Sequence, residues 1–171
     1  VLLIDLDPQG HLTEGVGLQE CYLNANGERT LYDALISKEP VKLSTLIQHQ
    51  TKALEPFHVI PSSYQLMLAE QGLYMARNRE HKLKTLLAQL DNHYDYILID
   101  CPPVLGNLTD NALNAARRVL IPIQAEATSV RALELLFDQI ESVERGLNIH
   151  IQVLGVVPTL VQDSAMAKKI L

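Results

Sequence analysis

Two apolar segments of the chain each end at aspartate, with proline close behind. The first is VLLIDLDPQG, residues 1–10, and the second is YILIDCPP, residues 96–103. A short leucine-rich and β-branched run without polar alternation is typical of a strand covered on both faces in a parallel sheet. Ligands of such sheets bind outside the carboxyl ends of the strands. The carboxylates of Asp5, Asp7 and Asp100 therefore indicate a hydrated cation, and with it a phosphate site.

The spacing of Asp5 and Asp7 allows two interpretations. Side chains at positions i and i+2 of an extended strand point the same way, and like charges so placed repel unless a cation or a donor lies between them. In a structural interpretation, Asp5 ends the strand and Asp7 with Pro8 begins a turn. In a chemical one, one carboxylate supports a metal and the other positions an attacking water, which is most of what phosphoryl transfer requires.

Asp100 matches the Walker B arrangement, in which a carboxylate at a strand tip holds Mg²⁺, usually through water. Since Mg²⁺ sheds its waters reluctantly, one or two carboxylates plus phosphates suffice. An aspartate after a strand is also common as a cap or turn residue. No G-x-x-x-x-G-K-[ST] phosphate loop occurs, and none of the eight glycines is followed by lysine. We therefore expect this chain alone to bind ATP poorly and to be inactive.

The composition predicts one globular domain over residues 1–171. The net charge is −6, with 47% apolar and 20% charged residues, and this acidic balance argues against a sequence-specific DNA reader. No run of 18 apolar residues exists, so no membrane span is expected. Cys21 and Cys101 form no CxxC motif, which favours a reducing, cytosolic setting, and Cys101 is predicted to be a small buried side chain. Because Val1 already lies in a strand, the domain is expected to be incomplete at both ends.

Strand-like and helix-like segments alternate, which predicts an α/β fold with a mostly parallel sheet flanked by helices. After the first strand, further strands are predicted at 57–60, 97–100, 119–123 and 149–157. Helices are predicted at 31–37, 41–49, 64–75, 80–90, 108–116 and 128–144, with Gly146 ending the last of these and Asp163 starting another.

With these motifs the chain resembles the ParA/Soj-type partition ATPases, within the deviant Walker A group that includes MinD. The resemblance covers essentially the whole chain and rests on VLLIDLDPQGHLT, YDYILIDCPPVLGNLTDNAL, VLIPIQAEATSVRALELL and LGVVPTLVQDSAMAKKIL. Pro-Gln-Gly after the second aspartate favours the ParA branch. The resemblance implies a P-loop NTPase-like fold, and Mg²⁺, ATP and ATP hydrolysis for the parent protein. The family's phosphate-loop lysines would lie upstream of residue 1.

The resemblance also implies a role for each of eight residues. Asp7 would be catalytic, and Asp5 and Asp100 would bind the metal. Pro102, Pro103 and Gly106 would form a switch that senses the γ-phosphate. Pro158 and Thr159 would bind the nucleotide near the adenine.

The partners implied by the resemblance are a second subunit in an ATP-dependent homodimer, non-specific DNA and a ParB-like protein that stimulates hydrolysis. Lys168 and Lys169 are candidate DNA contacts. The protein would be cytoplasmic and nucleoid-associated, without a membrane partner, and its cargo either a chromosome or a plasmid. Two alternatives stay open: a MinD-like ATPase that positions cell division, and a non-catalytic interaction domain of the same fold. A K-G-G-x-G-K-[ST] segment before residue 1 would favour the ATPases.

Overall fold

A computed structural model describes residues 1–50, 56–90, 93–124 and 127–160, which divide between two compact units, Val1–Ala115 and Ala116–Leu171. The strands are β1 (Leu2–Asp5), β2 (Gln48–Gln50), β3 (Phe57–Ile60), β4 (Ile97–Asp100), β5 (Arg118–Gln124) and β6 (Gln152–Thr159). The helices are α1 (His11–Gly15), α2 (Gln19–Tyr22), α3 (Leu31–Ile36), α4 (Ala69–Tyr74), α5 (Lys82–Leu87), α6 (Asn107–Ala116) and α7 (Ala127–Leu147). The predicted α/β class is confirmed.

The first unit contains a four-stranded sheet in the order β2-β3-β1-β4. β1 pairs in parallel with both β3 and β4, while β2 runs antiparallel to β3. The predicted parallel sheet is thus confirmed. Leu2 and Ile4, on one face of β1, have no exposed surface; on the other face Asp5 is buried and Leu3 is partly buried. β4 differs from the expectation of a strand covered on both faces because it lies at the sheet edge with one face open, and its Leu98 is 57% exposed.

Helices cover the sheet of the first unit and complete its apolar core. Leu83 and Leu86 of α5 are buried, with Leu83 at 0% exposed surface. The core contains residues of β1, β3 and all the longer helical segments of this unit: Leu2, Ile4, Leu6, Leu31, Leu35, Val41, Leu43, Leu46, Ile60, Leu66, Ala69, Leu73, Leu83, Leu86, Leu90, Leu108 and Ala112. This packing holds the ends of β1 and β4 in place.

The second unit pairs β5 with β6 in parallel and contains the 21-residue helix α7. Ile140 and Val143 of α7 are buried, as is Ile151 before β6. The prediction that Gly146 ends the long helix is wrong, since α7 continues to Leu147. Asn148 follows with a φ of 49°, and asparagine tolerates this left-handed conformation in place of glycine.

One other prediction of local structure needs correction. Residues 41–49 do not form a helix: a 3₁₀ turn at Leu43–Leu46 precedes β2, which adds to the free edge of β3. The polar side chains of β2 suit an edge strand, and antiparallel pairing with β3 overrides the local helical pattern. The glycine-bearing stretch after β1 contains the short helices α1 and α2. The helix predicted from Asp163 lies outside the described residues, and among the helices within them none is long and apolar enough to cross a membrane.

Candidate active site

The parallel register of β1 and β4 brings two of the predicted site residues side by side. Asp5 pairs with Asp100, and the ladder continues with the Leu6 N–H donating to the Asp100 carbonyl at 2.8 Å. Neighbouring strands lie about 4.8 Å apart. Asp5 is fully buried, Asp7 half-buried and Asp100 exposed. The three predicted carboxylates therefore lie together at the carboxyl ends of β1 and β4.

The Asp5 carboxylate accepts three hydrogen bonds from its own chain. Oδ2 accepts the Thr13 backbone N–H at 2.8 Å and the Thr13 hydroxyl at 2.6 Å, and Oδ1 accepts the Asp7 N–H at 3.2 Å. Burial raises the pKa of Asp5, and the bonds from Thr13 act against this shift. Asp5 thus organises the loop between β1 and α1, and its metal role stays a prediction.

Asp7 lies in a tight turn immediately after the strand. Its Oδ1 accepts the Gln9 N–H at 2.9 Å, so the structural interpretation of Asp7 with Pro8 describes the local geometry. Gly10 closes this turn at a φ of +67°, and a Cβ there would lie 2.5 Å from the Tyr22 ring. The Tyr22 hydroxyl in turn donates to the Pro8 carbonyl at 3.1 Å. Sequence reasoning missed Tyr22, because nothing near it in the chain links it to Pro8.

The charges around Asp100 suit a cation. Desolvation raises the pKa of Asp100, and the carboxylates of Asp5 and Asp7 raise it further, whereas His11 acts the other way. A divalent cation would relieve this repulsion. Within the described ranges, no cluster of three or more His, Cys, Asp or Glu side chains could enclose a metal. One or two carboxylates with retained waters would suffice for Mg²⁺, and Asp100 is the accessible carboxylate of the three, so its metal role stays a prediction.

Cys101 follows Asp100 at the end of β4, and the prediction that it is buried is wrong, since the residue is exposed. Its Sγ donates weakly to the Ile99 carbonyl at 3.7 Å. Desolvation of the sulfur, with the charges of Asp100 and Asp7, raises the pKa of the thiol to about 12. Since the thiolate is the nucleophile, a raised pKa disfavours the reactive form of this thiol.

The predicted switch residues Pro102, Pro103 and Gly106 lie on the segment that joins β4 to α6. Glu70 of α4 holds the end of this segment. Its Oε2 accepts the Asn107 N–H and its Oε1 accepts the Leu108 N–H, both at 2.9 Å. Glu70 had no signal in the sequence, since it lies far from α6 along the chain. The γ-phosphate switch stays a prediction.

Pro158 and Thr159 end β6 in the second unit, where the Thr159 hydroxyl donates to the Ile123 carbonyl at 3.2 Å. Their role in binding nucleotide stays a prediction. A cavity of ≈ 400 Å³ in the first unit is lined by the α2 region and by Pro61 and Ser62. None of the three aspartates lines it, so it is distinct from the predicted phosphate site.

Residues 1–153 match the family model described as an AAA domain. The chain belongs to the AAA domain family. Within this AAA domain, the resemblance to ParA/Soj-type proteins is confirmed by relatives. The chain is 39% identical to the sporulation initiation inhibitor protein Soj of Bacillus subtilis, over 94% of this chain and 60% of that protein. It is 40% identical to the chromosome partitioning protein ParA of Myxococcus xanthus, over 96% of this chain and 55% of that protein. The chain therefore spans less than two thirds of these relatives.

Solved structures resemble this AAA domain over almost its whole length. Cobyrinic acid a,c-diamide synthase from Mycobacterium smegmatis, with bound ADP and magnesium, matches with a TM-score of 0.86 and 33% identity. The match covers 99% of this chain and 65% of that one. A putative plasmid partition protein from Borrelia burgdorferi bound to AMPPNP matches with a TM-score of 0.78 and 27% identity, over 99% of this chain and 67% of that one.

Proposed function

We propose that the full-length protein is an Mg-ATP-dependent ATPase of chromosome or plasmid partitioning. The observation that carries this proposal is the gathering of Asp5, Asp7 and Asp100 at the carboxyl ends of β1 and β4. This is the edge at which parallel sheets bind ligands. The ADP and AMPPNP bound in two similar solved structures support ATP as the ligand.

Each carboxylate has a distinct part in this function. Asp100, exposed at the tip of β4, would hold Mg²⁺, with Asp5 behind it. When bound, Mg²⁺ supplies charge stabilisation for the phosphates. Asp7 would orient the attacking water. Because the 171 residues contain no phosphate-loop sequence, we propose that another part of the full-length protein binds the phosphates. We expect this chain alone to be inactive.

The relatives favour partitioning over the other functions that this fold supports. The Mycobacterium smegmatis structure is a diamide synthase, so the fold alone does not decide the activity. Soj and ParA are 39% and 40% identical to this chain, whereas the cell division protein PomZ of Myxococcus xanthus, at 37% identity over 86% of this chain, supports the second candidate, an ATPase that positions cell division. A ParA-like protein would dimerise with ATP, bind DNA without sequence preference and respond to a ParB-like partner. We place it in the cytoplasm, on the nucleoid; Lys168 and Lys169, the candidate DNA contacts, lie outside the described residues.

The decisive experiment measures ATP hydrolysis and ATP binding by the full-length protein and its Asp7→Ala variant. Loss of the water-orienting carboxylate should lower kcat by roughly a hundredfold or more while ATP still binds. Asp138→Ala removes an exposed carboxylate of α7 and serves as the control, with the parental rate expected. Hydrolysis by Asp7→Ala at the parental rate would remove the role of Asp7. A parental protein without Mg²⁺-dependent hydrolysis would overturn the proposed function.

A further inference from the structure

The peptide units on both sides of Asp7 are fixed by buried partners. Its N–H donates to Oδ1 of Asp5 at 3.2 Å, and its carbonyl accepts both the Ser62 hydroxyl at 2.7 Å and the Gly10 N–H at 3.0 Å. Its own carboxylate accepts the Gln9 N–H. Backbone and side chain are therefore both restrained, and Ser62, two residues after β3, is the partner that comes from a distant part of the chain.

Ser62 is joined to Asp5 by a second route. Its backbone N–H donates to the Thr13 hydroxyl at 2.8 Å, and that hydroxyl donates to Oδ2 of Asp5 at 2.6 Å. Thr13 and Ser62 are at most 1% exposed. Hydrogen bonds in such surroundings are electrostatically strong, and a buried group that loses its partner is costly. The network thus ties the ends of β1 and β3 and the first turn of α1 to one arrangement of the Asp7 loop.

We propose that Ser62 is a positioning residue for Asp7, holding its peptide so that the carboxylate points at the attacking water. The inference rests on the proposed function, in which Asp7 orients that water. Displacement of a reacting group by about 1 Å can cost roughly a hundredfold in rate. A hydroxyl that fixes the backbone of the water-orienting residue therefore acts on kcat rather than on the affinity for ATP.

The neighbouring serine provides a matched control. Ser63 is as buried as Ser62, yet its Oγ has no hydrogen-bond partner within the described residues. In the full-length protein, Ser62→Ala should lower kcat for ATP roughly tenfold, as expected for the loss of one hydrogen bond, with KM within about twofold of the parent. Ser63→Ala should leave both constants near the parental values. Rates are normalised to the amount of nucleotide bound, so that a loss of folded protein does not lower kcat.

Amide hydrogen exchange provides a readout that does not depend on hydrolysis. The Asp7 and Gln9 amides should exchange faster in Ser62→Ala than in Ser63→Ala, because the loop has lost its tie to β3. If Ser62→Ala does not fold, Ser62→Cys keeps a weaker donor of similar size and should have a kcat below that of the parent.

The outcomes separate the inference from the function on which it rests. A parental kcat in Ser62→Ala, or in Ser62→Cys where that variant replaces it, overturns the positioning role and leaves the ATPase intact. Unchanged hydrogen exchange at the Asp7 amide also overturns the positioning role and leaves the ATPase intact. A parental full-length protein that hydrolyses no ATP overturns both.

Discussion

The carboxylate of Glu70 accepts the backbone N–H of Leu108 at 2.9 Å, so a side chain of α4 caps the first turn of α6. The same carboxylate accepts the backbone N–H and the Nδ2 of Asn107, each at 2.9 Å. The first N–H groups of a helix have no partner within it, and a negative charge near them is favourable. Glu70 therefore fixes the point at which the predicted switch segment joins α6.

Replacing Glu70 by alanine should lower the free energy of unfolding by about 1–2 kcal/mol, because the N–H groups of Asn107 and Leu108 lose their acceptor. Urea denaturation measures this change. Glu28→Ala removes an exposed carboxylate of the same unit and should have little effect. Equal stability of the two variants would show that the cap contributes nothing.

Gly106 is expected to be energetically coupled to Glu70. A Cβ at Gly106 would lie 2.9 Å from Oε1 of Glu70, so Gly106→Ala should displace the cap and destabilise the protein. In the Glu70→Ala background the same substitution should cost much less, giving an interaction energy of about 1 kcal/mol in the double-mutant cycle. Additive effects would contradict the contact.

Gly146→Ala, where nothing lies within 4 Å of the added Cβ, should instead stabilise α7 by about 0.5–1 kcal/mol.

Glu144 makes the second unit sensitive to acid. Its carboxylate accepts the Ile151 N–H at 2.6 Å and contacts the His150 ring at 2.9 Å, and these bonds lower the pKa of Glu144. Because the folded state favours the ionised form, this stabilisation is present above the pKa of the unfolded chain. It is lost as the pH falls through the folded-state pKa.

The Glu144→Gln variant should therefore be less stable than the parent at neutral pH, and the difference should shrink as the pH falls towards about pH 3. Urea denaturation across this range checks the prediction. Glu141→Gln, which removes an exposed carboxylate one turn earlier in α7, is the matched control. A difference from the parent that is as large at pH 3 as at neutral pH would contradict the assignment to Glu144.

The sequence predicted β1 and β4, and their parallel arrangement, because both rest on local patterns of apolar residues ended by aspartate. It could not predict which groups would hold Asp5. Thr13 and Ser62 are ordinary polar residues of turns, and only tertiary packing brings the end of β3 to the Asp5 loop. The catalytic role of Asp7 remains a prediction.

The errors in local structure have a related cause. Gln48–Gln50 became a strand because β3 offered a free edge, which no local propensity reveals. The helix was expected to end at Gly146, yet Asn148, two residues later, adopts the left-handed conformation. In both places the local sequence was compatible with more than one structure.

Nearly the whole of the first unit separates Asp5 from Asp100, although the two face each other across parallel strands. Contacts between such distant segments form only after a long loop closes, and the entropy of closure delays them during folding. The acidic cluster is therefore assembled only when β4 docks onto β1. A ribosome-bound chain that has not yet released β4 carries Asp5 and Asp7 without the third carboxylate, so the timing of synthesis itself delays the site until the sheet is built.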